Sequence, residues 1–372
     1  MKIAVFFTYD YSIKSLKNAG LFERELKIYE KLKDKYGLDF IFFTYDEISS
    51  EDTKYDNFEF ISIYNLTKKP KNKILRLIKS ILLPFKLLKY TSDVDVIHQH
   101  QLLGSWVPLI IKLIQKKPVL IRTGYDAYLF SKLNNEKKYL IYFYKILTNF
   151  SLKYCDLYTV TSQADFDFLM KEFNFNSTKI KIVPNWIEKI EILNNSRFDD
   201  RILMVGRLEN QKNYPMVFEF LKNTKLNIEI DVYGLGELHD ELHETKMIRN
   251  LKINFLGNKK YNELQKEYKK YKYFLSTSIF EGNPKTILEA QNNGCIVIAS
   301  NIKNHSELIT HGKNGFLFES VNEIEEILNY CNENKEILDK FHKRNQSILL
   351  NNDIENISNE MYADYKVLVE SK

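Results

Sequence analysis

The chain has 372 residues, 44% of them hydrophobic and 28% charged, with a formal net charge of +5. That length exceeds what one hydrophobic core ordinarily serves, so two domains of about 150–190 residues are expected. The balance excludes disordered and fibrous classes, and the lack of an Arg-rich or aromatic-basic ribbon argues against a nucleic-acid partner.

The opening "MKIAVFFTYD" has one Lys and an apolar run too short for a secretory segment, and it reads as a first β-strand. No stretch approaches the roughly 20 apolar residues that cross a bilayer. A cytoplasmic protein, peripheral on the inner face of the cytoplasmic membrane, is the expectation. Cys155, Cys295 and Cys331 stand far apart and are odd in number, which suits buried free thiols in a reducing compartment.

Along the first half, "KIAVFF", "DFIFFTY", "DVIHQH", "PVLIRT", "LYTVTS" and "KIKIVP" read as strands between helical patterns. "RILMVG", "IEIDVYG", "KINFLG", "YFLSTS" and "CIVIAS" do so in the second half. Apolar strands alternating with helices imply βαβ units and parallel sheets covered on both faces. The fold class is α/β: two Rossmann-like, doubly wound domains of about six strands each, facing a central cleft. A polar stretch places the hinge near Ile187 to Asp200. The expected domains run over 1–190 and 191–350. A final helix over 351–372 is expected to cross back to the first.

Two first-half features stand out. Lys68 to Lys89, "KKPKNKILRLIKSILLPFKLLK", holds eight basic residues and no acid. Its apolar residues Ile74, Leu75, Leu77, Ile78, Ile81 and Leu82 recur at near-helical spacing. Such a helix suits an anionic membrane surface, or else packs on the core with a solvated cationic face. Asp93-Val-Asp95 imitates a metal motif but reads as a cap and strand edge.

In open parallel sheets, ligands sit outside the carboxyl ends of strands. In "VGRLENQKN" a strand ends at Gly206, Arg207 follows, and Lys212 precedes a helix at Tyr214 and Pro215. Two cations beside a helix N-terminus make an anion site suited to a diphosphate, unless they are solvated surface charges. Gly234 and Gly236 form a turn, too little for a dinucleotide fingerprint, and His239 with His243 reads as a solvated helix face rather than a metal pair. In "FEGNPKTILEA", Glu281-Gly282 is a loop, Asn283 the expected N-cap and Pro284 the first helical residue. Glu289 then lies roughly 7 Å farther along the axis than Pro284. Carboxylates accept from paired hydroxyls, and amides at Lys285 and Thr286 suit phosphates, so Glu281 and Glu289 match the two ends of a sugar nucleotide. The plainer reading pairs Glu289 with Lys285 at i,i+4.

Together "VGRLENQKN", "FLGNKKYNEL", "FEGNPKTILEA" with "NNGCIVIAS", and "ELITHGKNGFLF" resemble the signature blocks of the retaining glycosyltransferases with the GT-B fold, family 4 (group 1). "DVIHQHQLLGSW", "TVTSQADFDFL" and "IVPNW" are similar to the family's weaker blocks, and the resemblance is strongest from Arg201 to Phe318. It implies that Arg207 and Lys212 bind the donor diphosphate and that Glu281 contacts the donor sugar, these three being the catalytic set. The backbone from Asn283 to Thr286 would lie beside sugar and phosphates, and Glu289 would take the ribose hydroxyls. Asn258, in the Gly257 to Lys259 loop, would lie near the base. Gly206, Gly282, Pro284 and Lys285 complete the donor-binding set, Lys285 without an assigned role. Where many relatives carry a His after the "PVLIRT" strand, this chain has Thr123. That role would pass to Arg122, Tyr125 or Asp126, or His98 or His100 would line the cleft, although each His read singly is a packing or turn residue.

The resemblance implies transfer of a hexose-type sugar from a nucleotide-diphosphate sugar, preferably a UDP-sugar, with no metal or other cofactor. The acceptor would be a glycan or lipid-linked molecule in surface-polysaccharide or lipopolysaccharide assembly. The alternatives are a sugar-nucleotide epimerase or a phosphorylase on the same fold, and an inactive nucleotide-sugar-binding protein.

Overall fold

A computed structural model describes residues 1–18, 20–46, 58–124, 126–175, 177–190 and 196–371. The chain forms two compact units, one of Met1–Pro184 with Ile357–Lys372 and the other of Asn185–Asn356.

The first unit carries a seven-stranded sheet ordered β3-β2-β1-β4-β5-β6-β7, every pairing parallel. Its strands are β1 (Lys2–Phe6), β2 (Asp39–Thr44), β3 (Glu59–Ser62), β4 (Val96–His100), β5 (Val119–Arg122), β6 (Leu157–Val160) and β7 (Ile180–Ile182). Helices cover both faces, so β1 shows no polar alternation: Ile3, Ala4, Val5 and Phe6 are all fully buried. The Phe22–Tyr36 helix lays Leu26, Tyr29 and Leu32 into the core and ends at Gly37. There a φ of 64° lets the Gly37 N–H reach the Lys33 carbonyl at 2.8 Å.

The Ile357–Lys372 segment is part of this unit. Tyr365 Oη lies 2.6 Å from His98 Nδ1, Tyr362 stacks on Tyr36 with ring centroids 3.9 Å apart, and Lys181 Nζ bridges Glu360 and Asp364 at 3.0 and 2.7 Å.

The second unit has a six-stranded parallel sheet ordered β10-β9-β8-β11-β12-β13. Its strands are β8 (Phe198–Val205), β9 (Glu229–Tyr233), β10 (Ile253–Phe255), β11 (Tyr271–Ser276), β12 (Ile296–Ser300) and β13 (Phe316–Phe318). In each sheet the order reverses once, between β1 and β4 and between β8 and β11. The carboxyl ends of those strand pairs are where such sheets open a crevice for ligands.

The sequence pattern names neither β3 nor β13. These are edge strands of four and three residues, too short to show a period. The basic segment is two helices rather than one, Lys73–Ser80 and Leu83–Thr91, with Pro84 in the first turn of the second. All three cysteines are buried and free, and burial pushes the Cys155 and Cys295 thiols up to about 12, which keeps them unreactive. Asp93 pairs with Lys2 Nζ at 2.6 Å and Asp95 accepts from the Lys2 backbone N–H at 2.8 Å, so both pin the start of β4 to β1.

Candidate functional site

In the second unit the loops after β8 and β11 meet at the reversal point. Ile279 N–H donates to Gln211 O at 3.0 Å, Gln211 Nε2 to Phe280 O at 2.8 Å, and Thr277 Oγ1 to Lys212 O at 2.6 Å. These bonds bring Lys212 Nζ to 2.6 Å from Glu281 Oε1, which also accepts from Ser278 Oγ at 2.7 Å. Burial works to raise the Glu281 carboxyl, but the Lys212 charge and the two hydrogen bonds prevail and hold it below the usual carboxylate range. The pair is therefore charged and largely dehydrated, a fixed dipole at the mouth of the sheet.

Glycines make the approach feasible. A Cβ on Gly234, in the loop after β9, would lie 1.8 Å from the Gly206 carbonyl oxygen, and one on Gly206 would lie 2.8 Å from Lys212 Cε. Any side chain at either position would separate the β8 and β9 loops or displace Lys212.

The Lys285–Asn292 helix follows the Glu281 loop. Its cap differs from expectation. Pro284 is the N-cap, with φ −69° and ψ 102°, and its carbonyl accepts from the Ile287 and Leu288 N–H groups at 3.1 and 3.3 Å. Asn283 does not cap because Asn185 engages it: its Oδ1 accepts from the Asn185 N–H at 3.1 Å and its carbonyl from Asn185 Nδ2 at 2.7 Å. Lys285 and Thr286 thus supply the first-turn amides of this helix. The Lys285 ammonium stands over the Trp186 ring, 5.7 Å from its centroid. Glu289 is 3% exposed, with Tyr268 Oη donating to its Oε2 at 3.2 Å. Gly282 is buried in the same loop. Asn258 lies in the loop after β10, where Gly257 O accepts from the Gly234 N–H at 2.9 Å.

Arg207 is set apart from this pair. Its Nη1 lies 2.8 Å from Glu209 Oε1, and its side chain is 65% exposed. The His239 and His243 rings lie with centroids 4.6 Å apart and planes tilted by 43°, and His239 Nδ1 lies 2.9 Å from Oδ1 of the exposed Asp240. Among the described residues no group of three or more His, Cys, Asp or Glu side chains is placed to hold a metal ion.

Two contributors escape the sequence reading. Ser278 is one; the other is His305, fully buried in the short Lys303–Ser306 helix after β12. Its Nδ1–H donates to the Ser300 carbonyl at 2.8 Å, which leaves Nε2 unprotonated, buried and without a partner among the described residues. Burial, partly opposed by the Glu281 carboxylate, lowers its pKa to about 4. Its place just past the carboxyl end of a parallel strand is the one sequence signal that marks it.

In the first unit the acceptor-side candidates are engaged locally. His98 is buried against Tyr365, and burial keeps its pKa well below the ordinary value. His100 Nε2 bonds the Tyr29 hydroxyl. Arg122 donates to Val183 O and Pro184 O at 3.1 and 3.2 Å, and Thr123 Oγ1 to Thr159 O at 3.3 Å. Asp126 caps the Ala127–Leu133 helix through the Leu129 N–H at 2.7 Å, and burial raises its carboxyl to about 6. Tyr125 lies outside the described residues.

The two basic helices expose their apolar side. Ile74, Ile78, Leu82 and Phe85 are 57–71% exposed, beside exposed lysines. No helix of the described residues is long and apolar enough to cross a membrane.

Residues 34–189 match the Glycosyltransferase Family 4 model, and residues 187–347 match that of Glycosyl transferases group 1. The chain is 27% identical over 278 residues to the Escherichia coli UDP-Gal:alpha-D-GlcNAc-diphosphoundecaprenol alpha-1,3-galactosyltransferase, covering 69% of this chain and 70% of that protein. It is 26% identical, with 71% and 74% covered, to the Campylobacter jejuni N-acetylgalactosamine-N,N'-diacetylbacillosaminyl-diphospho-undecaprenol 4-alpha-N-acetylgalactosaminyltransferase. Anabaena HepE, solved with UDP and glucose, superposes with a TM-score of 0.76 over 98% of this chain and 99% of that one; at 17% identity that likeness concerns the fold. Two parallel doubly wound sheets, matched across both halves by these two models, show that the chain belongs to the GT-B glycosyltransferases of family 4, group 1.

Proposed function

We propose that the protein moves a hexose-type sugar from a nucleotide-diphosphate sugar, foremost a UDP-sugar, to a lipid-linked acceptor in cell-surface polysaccharide assembly. Transfer retains the anomeric configuration and uses no metal ion or other cofactor. The observation that carries this reading is the buried Lys212–Glu281 pair at the reversal point of the second sheet, with Glu281 in the loop that leads into the Lys285–Asn292 helix. The names of the Escherichia coli and Campylobacter relatives, both acting on diphosphoundecaprenol-linked sugars, support the acceptor class.

When the bond between the sugar's anomeric carbon and the diphosphate oxygen breaks, negative charge grows on the leaving diphosphate. Lys212, the first-turn amides of Lys285 and Thr286, and Arg207 swung from Glu209 oppose that charge. The acceptor hydroxyl then bonds the anomeric carbon on the face the diphosphate leaves, and its proton passes to a departing phosphate oxygen. Glu281 holds Lys212 and accepts from a sugar hydroxyl, while Glu289 accepts from the ribose diol. The exposed apolar and cationic residues of the Lys73–Ser80 and Leu83–Thr91 helices support peripheral docking on an anionic membrane, such as the cytoplasmic leaflet.

Purified protein with UDP-sugars and extracted glycolipids is expected to release UDP and form an α-linked product from an α-linked donor. Donor interconversion without acceptor would point to an epimerase, a requirement for inorganic phosphate to a phosphorylase, and binding without turnover to an inactive binding protein. Each of these contradicts the proposal.

A further inference from the structure

Glu289 is 3% exposed, and a carboxylate so far from solvent holds its charge only where donors replace the water it loses. Tyr268, the last residue of the Tyr261–Tyr268 helix, supplies one such donor: its Oη donates to Glu289 Oε2 at 3.2 Å. The tyrosine has little freedom to move. It is fully buried in one apolar cluster with Phe274, Ile287, Ala290 and Cys295, its ring centroid 5.9 Å from that of Phe274. Its backbone carbonyl accepts from Cys295 Sγ at 3.3 Å. The hydroxyl is thus the polar tip of an apolar wedge, and the core sets where it points.

The backbone of Glu289 is tied to the same helix. Fully buried Asn293 donates from Nδ2 to Glu289 O at 2.8 Å and to Gln265 Oε1 at 2.7 Å, and Gln265 lies on the Tyr261–Tyr268 helix. Glu289 is therefore held at both ends, its backbone through Asn293 and its carboxylate through Tyr268. A glutamate free to turn about its several side-chain bonds loses rotamer entropy when it grips a ligand, whereas one already locked in place does not. A carboxylate offers about four acceptor sites on its two oxygens, so the tyrosine and both hydroxyls of a ribose diol can bond it at the same time.

We propose that Tyr268 is a positioning residue of the donor site. Its hydroxyl sets the Glu289 carboxylate in the orientation that accepts from the 2′- and 3′-hydroxyls together, so the preference for a ribonucleotide belongs to the Tyr268–Glu289 pair and not to Glu289 alone. The proposal rests on the reading of Glu289 as the residue that binds the ribose diol.

The test is calorimetric titration of the full chain, wild type and Tyr268→Phe, with UDP and with 2′,3′-dideoxy-UDP. The wild type is expected to bind UDP on the order of 100-fold more tightly than the dideoxy nucleotide, because two hydrogen bonds to a carboxylate are lost with the diol. Tyr268→Phe should bind UDP about tenfold more weakly than the wild type does. Its affinity for dideoxy-UDP should be unchanged, which also reports that the variant is folded. In a Glu289→Ala background the same substitution should have little further effect on UDP, since the group it orients is gone. A merely structural tyrosine would weaken both nucleotides alike. Equal weakening of the two, or a wild-type preference for UDP in Tyr268→Phe, would overturn the proposal while leaving Glu289 on the ribose. A wild type that does not distinguish the two nucleotides would instead remove Glu289 from the ribose, so the two failures are distinguishable.

Discussion

Lys212 and Glu281 lie 69 residues apart in sequence, yet their charged atoms are 2.6 Å apart, with side chains only 17% and 10% exposed. Two strand-end loops, each closed by hydrogen bonds to the other, hold them there. Such a pair costs desolvation and contributes little net stability on its own, but removing one member strands the other. Glu281→Ala is therefore expected to destabilise the second unit by about 3 kcal/mol, and Glu281→Gln by less because Gln still accepts from Ser278 and Lys212. Urea denaturation checks this; equal stability of Glu281→Ala and the wild type would show that the pair is not held as described.

The β8 and β9 loops test the packing argument. A methyl group at Gly234 has no room against the Gly206 carbonyl, 1.8 Å away, so Gly234→Ala must push the loop carrying Lys212. A loss of about 1–3 kcal/mol is expected, together with weakened nucleotide binding. A Gly234→Ala protein with wild-type stability and binding would mean the loops do not approach this closely.

His305 gives a pH signature. Its folded pKa of about 4 lies below the unfolded value of about 6.5, so the unfolded chain binds more protons between them. Stability is thus complete above that window and is lost as pH falls from about 6.5 towards 4, at up to about 1.4 kcal/mol per pH unit. His98, also lowered by burial, adds in the same direction. The depressed Glu281 carboxyl adds a loss only at lower pH, below the ordinary Glu value and down through its folded one. His305→Gln, which can still donate to Ser300 O, should flatten the wild-type slope between pH 6.5 and 5. An unchanged slope in that variant would remove His305 from the account.

Both sheets are legible because strands covered on two faces are unbroken apolar runs such as "KIAVFF" and "CIVIAS". The edge strands β3 and β13 are too short for that signal. Lys212, Glu281 and Glu289 stand out because strand ends and helix starts in parallel sheets are where charge gathers around ligands. Ser278 and His305 do not, since their importance comes from which loops touch. Asn283 reads as a cap by local propensity, but Asn185, 98 residues away, takes its side chain. The basic segment shows a helical period without revealing that its apolar side faces outward, because periodicity fixes a face and not what covers it.

The most direct test is a thermal-shift series with UDP, GDP, ADP and CDP on the wild type, Lys212→Ala and Glu289→Ala. One nucleoside diphosphate, expected to be UDP, should raise the wild-type melting temperature by several degrees, as ligand at about 100 times its Kd stabilises by about 2.7 kcal/mol. Both variants should lose the shift while remaining folded. A wild type that no nucleoside diphosphate stabilises, or folded variants that respond as the wild type does, would contradict the placement of the donor on Lys212 and Glu289.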